Sequence, residues 1–210
     1  MRKFLISIVP SKIQSIYLQK FNKDIVFMLK AKKGRLLISE PSLTDATFFK
    51  SVILLTHHNI DESIGLVLNQ PTNVSLNEIL NDIPLSDFPV YIGGPVAKNS
   101  IQFIHTLGKL IPKSRKIRDG LYWGGDFEVI IKMMTEGKIF KNDIRFFAGY
   151  SGWGIEQLNN EIREESWILT DTNTEFCMQY ASPNLWSDII KTQHRKYAIW
   201  ANIPKNPNLN

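Results

Sequence analysis

A chain of 210 residues, 43% hydrophobic and 21% charged, is long enough to bury one substantial core and is not composed like a disordered segment. Its single cysteine, Cys177, excludes an internal disulfide and a cysteine-rich zinc site, and it points to a reducing compartment. The formal charge of +5 is unevenly placed: residues 1–35 hold nine Lys or Arg against Asp24, about +8, and residues 36–210 hold 16 bases against 19 acids, about −3, so overall basicity is no sign that the folded body binds phosphates.

The first residues, MRKFLISIVP, carry two positive charges and an apolar run shorter than a signal-peptide core, without a small-residue cleavage site. No later stretch reaches the ~18 apolar residues that span a bilayer. Residues 1–33 read as a basic, loosely ordered extension, with Met28 a candidate for the native start. Leu36–Ile38 begins a strand that Pro41 stops. Ser51–Leu55 and Ile64–Leu68 are continuous apolar runs of strand length, joined by the polar HNIDES as a hairpin.

Ser75 and Glu78 form a capping box, with Val74 and Ile79 as the hydrophobic staple of a short helix ending near Asn81. Tyr91 and Ile92 lead into Gly93-Gly94-Pro95, a tight backbone feature. Ser100–Leu107 is a strand, and Lys109–Arg118 is a basic loop. Asp126 caps a helix to Glu136 that Gly137 closes. Ile144–Ala148 is a strand feeding GYSGWG, after which Ile155, Leu158 and Ile162 share one helical face. Trp167–Leu169 is a short strand. Ser182-Pro183 starts a helix carrying Leu185, Trp186, Ile189 and Ile190. Tyr197–Trp200 is read as a last strand and residues 201–210 as a tail. Strands adjoin strands as often as helices, so the fold class is α+β, a single domain over residues 34–200.

The sequence contains no complete catalytic or cofactor motif. His57 and His58 are adjacent, so on a strand they face opposite ways and do not share a metal ion. One is expected inward with a hydrogen bond, the other solvated. Gly149-Tyr150-Ser151-Gly152-Trp153 looks like the nucleophile elbow G-x-S-x-G, but Trp153 stands where the second glycine belongs. The stretch also lacks the Gly-Lys-Ser/Thr end of a phosphate loop and the dinucleotide fingerprint, and Glu156 disfavours a phosphate there. Its glycines are read as a sharp strand-to-helix bend plugged by Trp153. Cys177 reads as core packing.

Lys113, Arg115, Lys116 and Arg118 make a compact basic cluster with no interleaved aromatic residue. It reads as a solvated loop, with pairing to phosphates or an acidic partner as the alternative. No helix-turn-helix pattern stands out, and the helix after GYSGWG is acidic, with Glu156, Glu161, Glu164 and Glu165.

Taken together and in order, GRLLISEPSLTD, FFKSVILLTHH, IGLVLNQP, VYIGGPV and FFAGYSGWGIEQLNNEI, followed by Trp167, resemble the AlgH/YqgE family of bacterial proteins. The resemblance covers Gly34 to the 190s. It implies an α+β fold built on a bent, partly barrel-like mixed sheet surrounded by helices, in a small cytoplasmic protein often labelled a transcriptional regulator. It brings no catalytic residue, no cofactor and no metal. The binding candidates it transfers are Asp45, Lys50, His58, Asn69, Gln70, Gly93, Gly94, His105, Tyr150, Trp153, Gln157 and Glu161. The family pattern usually has Pro at Ala46, Arg at Lys50 and Gln70, and Ala at Ser151. Losing Arg at Gln70 removes a charge and a planar fork of donors.

The resulting expectation is a non-catalytic binding or regulatory protein with a protein or small-molecule partner. It would act through a groove near GGPV and GYSGWG, where Asn69, His58 and Gln157 converge. Residues 34–200 are not expected to bind nucleic acid, nor the chain a membrane. The rival expectation is a small hydrolase or transferase with His58 or His105 as base.

Overall fold

Val52–Leu55 and Leu66–Leu68 are fully buried, as continuous apolar runs must be when both faces of a sheet are covered. The structure, a computed structural model, describes residues 30–41, 47–80, 88–179, 182, 184–193 and 197. Residues 1–29 of the expected extension over 1–33, Asp45, Ala46, His194, residues 198–200 of the expected last strand and the tail lie outside the described residues. Ten strands are described: β1 (Leu36–Ser39), β2 (Val52–His58), β3 (Ser63–Val67), β4 (Pro71–Ser75), β5 (Pro89–Ile92), β6 (Val96–His105), β7 (Arg115–Arg118), β8 (Leu121–Trp123), β9 (Ile144–Trp153) and β10 (Trp167–Thr170). Five α-helices accompany them: α1 (Leu76–Ile79), α2 (Phe127–Thr135), α3 (Gln157–Arg163), α4 (Thr174–Met178) and α5 (Leu185–Thr192).

The strands form one open sheet in the order β10-β1-β2-β3-β9-β6-β8-β7, with β4 and β5 as a branch. Every pairing is antiparallel except β5 beside β9, so the sheet is mixed. β9 is the hub. β6 runs along one edge; along the other, β5 pairs with Phe146–Ala148 and β3 with Ser151–Trp153.

Alternation along β1 and β2 divides the core. Leu36, Ile38 and Leu54 join Trp186, Ile190 and Cys177 of α5 and α4, whereas Leu37, Ile53 and Leu55 join Leu158 and Ile162 of α3. Ile130 and Met134 of α2 cover Phe103 and Phe146. The bent, mixed sheet with helices packed on it is therefore the observed fold. It curls without closing: at its two ends Arg118 donates to the Thr172 carbonyl, and the Thr174 hydroxyl donates to the Asp119 carbonyl at 2.7 Å.

Local signals set many elements. Asn59 Oδ1 accepts from the amides of Asp61 and Glu62, both at 2.8 Å, which shapes the β2–β3 turn. The capping box forms, with the Ser75 amide donating to Glu78 Oε2 at 2.7 Å, but Val74 and Ile79 remain about 40% exposed and do not make a buried staple. α2 closes at Gly137 (φ +67), whose amide donates to Met134 O while that of Lys138 donates to Met133 O.

Four readings change. GYSGW is not a bend: β9 continues through it to Trp153, and Ser151 is buried in the strand. Arg115–Arg118 is an edge strand, where charged residues discourage further pairing. Ile155 is exposed, and only Leu158 and Ile162 are buried on α3. α5 takes Asn184 as its N-cap, two residues after Ser182.

Candidate functional site

The two glycine segments meet backbone to backbone. A Cβ on Gly93 would lie 2.2 Å from Gly149 O, and one on Gly149 (φ +68) would lie 2.7 Å from Val96 O. Only glycine permits this approach. Across the junction Val67 N donates to Gly93 O and Gly93 N to Ala148 O, which splices β3, β5 and β9. Gly94 is packed against the Tyr150–Ser151 peptide, and the Ser151 hydroxyl donates to Gly93 O at 3.2 Å. The two segments thus meet in a tight weld. Over it, β6 bulges between Val96 and Ile101, so residues 95–99 form an exposed arch beside half-buried Tyr150.

Lys50, Asn69 and Gln70 do converge, around the entry to β2. Asn69 Oδ1 accepts from Val52 N and its Nδ2 donates to Lys50 O, both at 2.8 Å. Gln70 Nε2 donates to Thr47 O at 2.9 Å and to Ser51 Oγ at 3.0 Å. Lys50 Nζ lies 5.0 Å from the Trp186 ring centroid. These side chains brace the segment after the undescribed residues 42–46.

Trp153, Gln157 and Glu161 form a second group. The indoles of Trp153 and Trp167 both donate to Glu161 Oε2, at 2.8 and 2.7 Å, and Gln157 Nε2 donates to Oε1 at 2.9 Å. Gln157 Oε1 accepts from Gly154 N at 3.1 Å. The carboxylate ties α3 to β9 and β10.

The histidines are separate. His58 Nδ1 lies 2.8 Å from Ser63 Oγ, but Ser63 is only 4% exposed, which closes the hydroxyl to a substrate. Partial burial, then neighbouring His57, push the His58 pKa down. His57 Nε2 stands 3.7 Å from Glu62. His105 is fully buried and stacked 5.7 Å from Tyr122. Leu107 N donates to its Nδ1 at 3.2 Å, so the ring proton belongs on Nε2, which faces the Gly124 carbonyl at 3.0 Å. Burial lowers its pKa, which keeps it neutral with its lone pair engaged. Among the described residues no three His, Cys, Asp or Glu side chains gather as metal ligands.

Sequence reasoning missed Arg145. It is 2% exposed within β9, donates to Cys177 O at 2.7 Å and Leu68 O at 2.8 Å, and lies 4.4 Å from the Tyr91 ring centroid. The available signal was an arginine inside the otherwise apolar run Ile144–Ala148.

Comparison with known proteins agrees with this architecture. A family model described as AlgH-like matches residues 36–198. A UPF0301 protein of Bacteroides fragilis is 39% identical over 179 residues, covering 85% of this chain and 91% of that protein. One of Cytophaga hutchinsonii is also 39% identical, covering 85% and 98%. The solution structure of the AlgH protein from Pseudomonas aeruginosa matches with a TM-score of 0.65 at 22% identity, covering 83% of this chain and 95% of that one. At that identity the likeness speaks for the fold alone.

Proposed function

The chain belongs to the AlgH-like family, and from that premise we propose that it is a non-catalytic binding protein with a regulatory role. The observation that carries this reading is the engagement of several chemically capable side chains within the fold. His105 Nδ1, the Glu161 carboxylate, the Ser151 hydroxyl and the Gln70 amide all serve internal hydrogen bonds. A general base needs a free lone pair within reach of substrate.

The recognition element in this reading is the arch over residues 95–99, held in place by the glycine weld and exposed to a protein or small-molecule partner. Cytoplasmic residence belongs to the same proposal. Cys177 is buried as a free thiol, with its pKa pushed up by burial, as suits a reducing compartment. No helix among the described residues is long and apolar enough to cross a membrane.

Profiling wild type, His58→Ala and His105→Ala against hydrolase and transferase substrates is expected to give no turnover that depends on either imidazole. Turnover abolished by one of these changes, with folding intact, would replace this reading by the rival His-base enzyme. Crosslinkers placed at Lys98 and Asn99 are expected to capture a partner that crosslinkers at Lys132 do not.

A further inference from the structure

Where the two ends of the sheet approach, a cleft of about 480 Å³ opens between the entry to β1 and the end of β7. Lys32, Lys33 and Arg35 line one wall and Arg118 the other. At Gly34 the two walls are near neighbours: a Cβ there would lie 3.6 Å from both Arg118 Cβ and Ile117 O. The cations of both walls therefore face a shared space. Two acids, Asp119 and Asp171, also line it. Each already has a cation: Arg35 Nε lies 2.9 Å from Asp171 Oδ1, and Lys116 Nζ lies 2.6 Å from Asp119 Oδ1. Arg118 donates to a neutral carbonyl, that of Thr172, and its charge adds to that of Lys116 in holding the Asp119 carboxyl below its ordinary pKa.

The lining therefore holds four cations and two acids, and Lys116 offsets Asp119 from just outside. This positive concavity sits at the margin of a body whose residues 36–210 are net acidic, and a concave wall of one sign concentrates ions of the other. Its volume falls in the range of ordinary ligand clefts, roughly 300–1,000 Å³. Cations on both walls suit an anion with several charged groups in a row, with arginine as a planar fork and lysine as a point charge for phosphate oxygens.

We infer that this cleft binds a short polyphosphate group, whether carried by a nucleotide or free. The inference is independent of the recognition arch and of its partner.

Calorimetric titration of the full chain at low salt, with sodium tripolyphosphate, ATP and adenosine in separate runs, tests it. Tripolyphosphate and ATP are expected to bind and adenosine not to bind. Lys32→Ala with Lys33→Ala, at exposed positions that leave folding intact, is expected to weaken binding by about tenfold or more. The equal charge change Lys109→Ala with Lys132→Ala, outside the cleft, is expected to change it by less than about twofold. Tighter binding of ATP assigns a nucleotide; equal or tighter binding of tripolyphosphate assigns the phosphates alone. Absence of binding by both, or equal weakening by the two double variants, overturns the inference.

Discussion

Strands come together in two unlike ways in this molecule. At the glycine weld they meet through bare backbone: Gly93 and Gly149 approach so closely that one methyl group would collide with a carbonyl oxygen at 2.2 Å. At the seam between the sheet ends they meet through side chains, with Arg118 and Thr174 reaching across to carbonyl groups. The weld leaves no room even for a methyl group, whereas the seam leaves a cleft with charged walls. Closeness gives rigidity, and side-chain bridging gives room for chemistry.

Substitutions can break that contrast. Gly93→Ala should be the most damaging, costing about 4 kcal/mol or preventing folding, because the colliding atoms are backbone and cannot move aside. Urea unfolding measures it, and a loss below about 1 kcal/mol would mean the weld is looser than described. Arg145→Met keeps the volume and removes the donors to Leu68 O and Cys177 O. Burying those two carbonyls without them is expected to cost about 3 kcal/mol.

Gly34→Ala at the seam meets nothing nearer than 3.6 Å, so only its φ of +84 is penalised, about 1–2 kcal/mol. Equal losses for Gly34→Ala and Gly93→Ala would erase the distinction between the two regions. The gentlest effect is titration of His105. Its folded pKa lies below the ordinary 6.5, so the unfolded chain takes up the proton first. Its contribution to stability is present above pH 6.5 and is lost as pH falls through that value towards the folded pKa. Thermal unfolding from pH 7.5 to 5 is expected to show a shallower decline in His105→Gln than in wild type. An unchanged slope would assign the decline to other groups.

Much of the frame was legible because its signals are local. The β2–β3 hairpin followed from two apolar runs around HNIDES, the Ser75–Glu78 pair from its spacing, and the end of α2 from Gly137. The course of GYSGW was not, because a glycine reads the same in a turn and in a strand that must pass close to another backbone. Which it is depends on Gly93, 56 positions before Gly149 in the chain. Arg115–Arg118 was misread for a related reason, since charge marks solvent-facing edge strands as well as loops.

Among the transferred candidates, Trp153, Gln157 and Glu161 do meet, as do Lys50, Asn69 and Gln70, while His58 and His105 stand apart. Composition did locate the basic residues of the cleft. Only the three-dimensional approach of residues 32–35 to Arg118 brought them together.

The position of β9 carries a kinetic consequence. Its neighbours β3, β5 and β6 are all made earlier in the chain, yet each waits for Ile144–Trp153 to supply a shared edge. During synthesis, more than 140 residues must therefore emerge before the middle of the sheet can assemble, and their unpaired edges stay available to aggregation meanwhile. Refolding should be correspondingly slow, and nascent chains stopped before residue 144 should depend on chaperones.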